Sequence, residues 1–116
     1  MHELAICQAL IGQVEQITLD NNAEKVTRIV VKIGPLSGAE APLIERAYPM
    51  AAAGTIAENS LLVLETMPIR VRCKSCLAET EASANRLLCG ECGDFHTELI
   101  SGDEMLLAAI EFDKAN

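Results

Sequence analysis

Between Cys73-Lys74-Ser75-Cys76 and Cys89-Gly90-Glu91-Cys92-Gly93 the chain carries two Cys-x-x-Cys pairs with twelve residues between them. That spacing lets two tight knuckles meet and offer four thiolates to one tetrahedral zinc. Glycines beside the second pair let backbone N–H groups turn toward the sulfurs. Two disulfides or a pair of redox thiols are the alternative uses of such pairs. A closed four-sulfur zinc site is normally structural, so it accounts for folding and leaves function to other residues.

Turn signals at Met67-Pro68 and Ser101-Gly102-Asp103 bracket the cysteines, so the zinc unit reads as an insert, residues 69–102. The host domain is then discontinuous, residues 1–68 and 103–116. Ile69 to Val71 and Glu98 to Ile100 are expected to form short strands beneath the metal. Within the host, Cys7, Leu10, Ile11, Val14 and Ile17 fall on one helical stripe, so a helix starts almost at Met1 and ends in Asp20-Asn21-Asn22. Val26 to Ile33 alternates apolar and charged residues, the pattern of a half-buried strand stopped by Gly34. Pro42 suits the first turn of a second helix that stops at Gly54, with Pro49 predicting a kink or an early end. Leu61 to Met67 and Met105 to Phe112 are nearly continuous apolar runs, which predicts strands buried on both faces. The expected fold is α+β: a small mixed sheet packed by two helices, with an inserted four-cysteine zinc ribbon.

Composition narrows the function. A hydrophobic fraction of 50% in 116 residues supports a modest core, built mainly from aliphatic side chains because Tyr48, Phe95 and Phe112 are the only aromatics. The formal charge is −8, and four thiolates around one divalent zinc carry it to about −10. Nucleic acid would be repelled, and between Arg70 and Glu98 the acids outnumber the bases. The start lacks the basic flank of a signal peptide, and the apolar stretch from Leu4 to Ile11 is too short to cross a bilayer. A cytoplasmic protein with reduced thiols and no membrane association is expected. No Ser/His/Asp set, phosphate loop or carboxylate pair points to an enzyme. A zinc-ribbon nucleic-acid or protein-interaction module is the alternative class.

The chain start, Met1-His2-Glu3, is a compact nitrogen chelator. The Met1 amine and the His2 amide nitrogen close one ring on a metal, and the His2 imidazole closes another on the same amide. Planar nitrogen donors favour Ni(II) or Cu(II) over zinc. Metallating an amide normally breaks a backbone hydrogen bond, but at a helix start that bond does not exist. The helix dipole opposes a cation there by only about 1 kcal/mol or less.

Taken together, the start Met1-His2-Glu3-Leu4, the segment Val30-Val31-Lys32-Ile33-Gly34-Pro35-Leu36-Ser37, the run Gly54-Thr55-Ile56-Ala57 and the two cysteine pairs followed by Ser101-Gly102-Asp103-Glu104 resemble the HypA/HybF family. The resemblance spans nearly the whole chain. It implies a nickel metallochaperone for [NiFe]-hydrogenase maturation, with Ni(II) as transient cargo and Zn(II) as a structural ion. It implies that His2 is the principal nickel ligand, with the Met1 amine and nearby backbone nitrogen, and that Cys73, Cys76, Cys89 and Cys92 hold zinc. Glu3 belongs to the family start and is a candidate to tune nickel. Glu40 stands at an acidic loop position where some relatives place an Asp near the metal. His96 lies in a segment where some relatives supply an imidazole, and is a candidate fourth planar donor. Some relatives carry histidines directly behind the cysteine pairs; here Leu77-Ala78 and Gly93-Asp94 stand there, so a plain tetrathiolate site is expected. Cys7, on the buried stripe, reads as a small core hydrophobe. The implied partners are the hydrogenase-maturation GTPase of the HypB type and the [NiFe]-hydrogenase large-subunit precursor, served by a monomer or homodimer.

Overall fold

A computed structural model describes residues His2–Lys114. The order of elements is α1 (His2–Asp20), β1 (Ala23–Ile33), α2 (Ala41–Ala52), β2 (Leu61–Thr66), β3 (Ile69–Cys73), β4 (Glu79–Ala82), β5 (Thr97–Ser101) and β6 (Met105–Lys114). These fall into two compact units. One is drawn from Met1–Val31, Ala39–Glu65 and Leu106–Asn116, the other from Lys32–Gly38 and Thr66–Met105. Among the described residues no helix is long and apolar enough to cross a membrane. The α+β class, with two helices, small sheets and a four-cysteine cluster, agrees with the sequence reading.

In the first unit α1 buries Cys7, Leu10, Ile11, Val14 and Thr18. The apolar stripe therefore ends on Thr18, not on Ile17, which is 40% exposed. Thr18 enters the interior at little cost because its hydroxyl donates back to the Val14 and Glu15 carbonyls at 2.9 and 3.0 Å. Asn22 ends the helix in the left-handed region at φ 56°, a conformation Asn tolerates better than most residues. The second helix starts where the Glu40 carbonyl takes the Leu43 and Ile44 N–H groups, both at 3.0 Å. Ile44, Tyr48 and Ala52, four apart, form its buried face, and the two helices pack together. Pro49 does not end α2 early: the Ala53 N–H still donates to the Pro49 carbonyl. Pro49 sits on the exposed side, where water can serve the carbonyl that its missing N–H leaves unpaired.

The sheet order is β2-β1-β6. Thr27 Oγ1 donates to the Glu111 carbonyl and the Gly34 N–H to the Glu104 carbonyl, so numbers fall along β6 as they rise along β1 and the pair is antiparallel. The Met67 N–H donates to the Ile33 carbonyl. Only a parallel register from that point keeps β2 beside β1, so α2 is a crossover in a β-α-β unit and the sheet is mixed. As the central strand, β1 buries Val26, Ile29, Val30, Val31 and Ile33, including neighbours on opposite faces. The apolar runs of β2 and β6, expected to be buried on both faces, are instead the sheet edges. Leu61 is 59% and Leu106 44% exposed. Fully buried Val14, Val26, Ile29 and Ile44 centre the core, each contributing about 1.5–3 kcal/mol by removal from water.

The second unit is an antiparallel sheet of order β4-β3-β5. Val71 faces Leu99 and Thr80, and a bulge between Arg70 and Val71 shifts the register toward Ser101. The strand β4, Glu-Thr-Glu-Ala, has no apolar run to announce it. Its Glu79 carboxylate pairs with Arg72 on β3 at 2.7 Å. Both ends of this unit return to one place. Met67 N–H bonds to Ile33, Leu36 N–H to the Gly102 carbonyl at 2.7 Å, and Gly34 N–H to the Glu104 carbonyl at 2.8 Å. Gly34 is required there, since a Cβ on it would lie 2.1 Å from the Gly102 carbonyl oxygen.

Candidate metal centre

The two knuckles are built alike. In the first, the Ser75 and Cys76 N–H groups point at Cys73 Sγ, at 3.4 and 3.3 Å. In the second, the Glu91 and Cys92 N–H groups point at Cys89 Sγ, at 3.3 and 3.4 Å. The Leu77 N–H closes the first turn on the Cys73 carbonyl and the Gly93 N–H the second on the Cys89 carbonyl. Each leading cysteine then bonds forward through its own N–H, Cys73 to Ala78 and Cys89 to Asp94.

Facing one another, these turns bring the four ligand sulfurs within 4.8 Å of one another. The pairs Cys73–Cys92 and Cys76–Cys89 are 3.6 Å apart. A tetrahedron with metal–sulfur bonds of about 2.3 Å has edges of about 3.8 Å, so the donor set fits a tetrahedral zinc-type ion. All five cysteines are free thiols. The N–H groups of Cys76 and Ser75 hold Cys73 below the usual thiol range, while those of Cys92 and Glu91 bring Cys89 down to about 6. In each knuckle the leading cysteine is thus the readier of the two to ionise.

A family model described as hydrogenase/urease nickel incorporation, metallochaperone, HypA matches residues 1–112. The chain belongs to the HypA family. It is 49% identical over 111 residues to a hydrogenase maturation factor HypA of Nitrosospira multiformis, covering 96% of each chain. A HypA of Aquifex aeolicus is 39% identical, over 97% of this chain and 98% of that one. The solution structure of the Ni metallochaperone HypA from Helicobacter pylori has the same fold, at a TM-score of 0.74, 23% identity and coverage of 97% of this chain and 98% of that one. The family function is metallochaperone work in hydrogenase and urease nickel incorporation.

In this HypA-family chain the other candidate residues fall on separate stretches of the sequence. Met1 lies outside the described residues. His2 opens α1 and is exposed; Glu3 is half-buried in the same turn. Glu40 is exposed, with extended backbone at φ −103° and ψ 116°, and caps α2 through its carbonyl and not its side chain. Among the described residues, the four cysteines form the only cluster of three or more His, Cys, Asp or Glu groups that could hold an ion. Cys7 is fully buried and its thiol donates to the Ile44 carbonyl at 3.6 Å, so it belongs to the core. Burial, then the nearby Glu3 charge, raises its pKa.

Sequence reasoning missed Ser75 and Asp94. The Asp94 carboxylate accepts from the Ser75 hydroxyl, from the His96 backbone N–H at 3.0 Å and from His96 Nδ1 at 2.9 Å. The Ser75 bond, then the two from His96, hold the Asp94 carboxyl down at about 2. An Asp two residues before a His in a turn was the available signal.

Proposed function

We propose that this chain takes up Ni(II) at its start and hands it on during [NiFe]-hydrogenase maturation, while Cys73, Cys76, Cys89 and Cys92 hold a structural Zn(II). The observation that carries this reading is a family match running from residue 1, so that Met1-His2-Glu3 falls inside it. His2 is the principal donor, joined by the Met1 amine and the amide between them. His2 is exposed at the first position of α1, where an amide has no intrahelical acceptor to lose. Glu3 and Glu40 are lesser candidates, and His96 is a further imidazole donor. Zinc at the four thiolates supplies folding energy to a unit whose buried apolar residues are few.

Delivery follows from exposure. A site on an open helix start can lose its ligands one at a time to an acceptor without any cage unfolding. The acceptors are a HypB-type maturation GTPase and the hydrogenase large-subunit precursor, met in the cytoplasm. Amine and imidazole donors coordinate only without their protons, so nickel binding weakens in mild acid. A nucleic-acid module is less well supported: Arg72 is engaged by Glu79, Arg70 donates to the Glu79 carbonyl, and the chain is acidic overall.

The test is a nickel titration of the untagged, zinc-loaded protein with X-ray absorption, beside His2→Ala and His96→Ala. The expected result is stoichiometric binding in a nitrogen-rich site that His2→Ala abolishes. Binding indifferent to His2 would sink the reading.

A further inference from the structure

His96 is four residues past Cys92, on the turn that leads from the second knuckle into β5. Its side chain is 61% exposed, yet its position is specified from several directions. Asp94 Oδ1 accepts both the His96 backbone N–H and ring Nδ1. Asp94 Oδ2 accepts the hydroxyl of Ser75, which belongs to the opposite knuckle. The His96 carbonyl accepts the Lys74 N–H at 2.8 Å, again from the opposite knuckle. The Phe95 ring lies against the imidazole, centroids 4.1 Å apart and planes tilted 31°. An ordinary Asx turn needs only the backbone N–H bond. It does not account for the ring bond or for the Ser75 tie.

A carboxylate only accepts, so Nδ1 carries the proton in this contact. In the neutral ring that leaves Nε2 with the lone pair, and among the described residues nothing bonds to it. We infer that Asp94 is the positioning residue of a metal-ready imidazole: through Nδ1 it sets the tautomer of His96 and presents Nε2 as donor to a divalent cation that prefers nitrogen. Metal-bound histidines generally give their second N–H to such a carboxylate, which fixes the ring and raises its basicity. Ser75 fixes the carboxylate in turn, so the orientation of the imidazole is inherited from the pairing of the knuckles. The identity of the cation rests on the proposed nickel function; the tautomer does not.

The two parts are tested separately. In the zinc-loaded, nickel-free protein, ring nitrogen shifts from long-range ¹H–¹⁵N correlation spectra above neutral pH should report His96 as Nδ1–H. Asp94→Ala should return it to the Nε2–H form that free imidazole prefers. Asp94→Asn, which keeps the shape and an acceptor oxygen, should retain Nδ1–H, and zinc content confirms that each variant is folded. An Nε2–H ring in the unmodified protein, or a tautomer indifferent to Asp94→Ala, overturns the inference. In a nickel titration, Asp94→Ala should weaken binding about tenfold, Asp94→Asn should restore most of it, and Asp94→Ala should add nothing to His96→Ala. Weakening by Asp94→Ala in a chain already lacking His96 also overturns it. If the tautomer depends on Asp94 but neither variant alters nickel, the positioning stands and the nickel role of His96 falls.

Discussion

Leu77 and Gly93 hold the same place in the two cysteine knuckles, each directly after the second cysteine and each in the left-handed region, at φ 67° and 77°. Glycine adopts that conformation freely, whereas a side chain with a Cβ is strained there by about 1–2 kcal/mol. Leu77 is 71% exposed, so its side chain gives little packing in return. Leu77→Gly should therefore stabilise the cysteine unit by about 1 kcal/mol, and Gly93→Leu should destabilise it by a similar amount. Thermal melts and the rate of metal loss to a chelator read both; a destabilised Leu77→Gly would contradict the argument.

Two glycines should respond to alanine in opposite directions. At Gly34 the added Cβ would meet backbone atoms of Gly102 at 2.1 to 2.9 Å, and no flexible side chain is there to yield. Gly34→Ala should cost about 3 kcal/mol by separating the strands it joins. Gly12 lies on the exposed side of α1 with nothing within 4 Å of a Cβ. Gly12→Ala should stabilise by about 0.5–1 kcal/mol through helix propensity alone. Urea denaturation of the two variants measures both values.

Stability should decline in alkali from two identified groups. Burial raises the pKa of Cys7, and burial also raises that of Tyr48 against the effect of its hydrogen bond with Ser60. In the unfolded chain the Cys7 thiol ionises near 9 and the tyrosine near 10, while the folded protein still holds both protons. The unfolded state thus binds fewer protons above about pH 9, and unfolding becomes easier as pH rises from there. Cys7→Ala and Tyr48→Phe should each flatten the alkaline limb of a stability–pH curve. An unchanged slope in both would show that these groups are not responsible.

Removal of the metal should divide the chain's stability. The helical unit has its own core in Val14, Val26, Ile29 and Ile44, whereas the cysteine unit buries few aliphatic side chains, Ile33, Ile69 and Val71 among them. So small a core does not hold a fold without a staple. Chelation should erase hydrogen-exchange protection in β3, β4 and β5 while the far-ultraviolet signal of α1 and α2 persists. Equal loss in both units would show that the metal supports the whole chain.

How far the fold was legible depended on whether local chemistry announced it. The cysteine spacing, the Asn22 helix stop and the Pro42 helix start are local devices, and each lies where the sequence placed it. Burial was less legible because it depends on neighbours. The alternating run in β1 reads as half-buried but becomes the central strand, while the apolar runs in β2 and β6 become edges. Nothing within a strand states how many partners it will have. The strand β4 was hidden because Glu79 and Glu81 pair with the arginines of β3 and contribute no apolar pattern. The cysteines were readable as a site because four ligands share one spacing rule. His2 opens α1, Glu40 lies just before α2 and His96 on the turn before β5, and no spacing rule joins them.

The polypeptide leaves for the cysteine segment at Met67 and comes back at Gly102, and both ends are sewn to the short run from Ile33 to Leu36. Segments whose ends are pinned side by side can lengthen or shorten at small cost, since closure entropy grows only with the logarithm of length. In evolutionary terms the contents of residues 68–101 can drift, shrink or be exchanged as long as those stitches to the run from Ile33 to Leu36 hold.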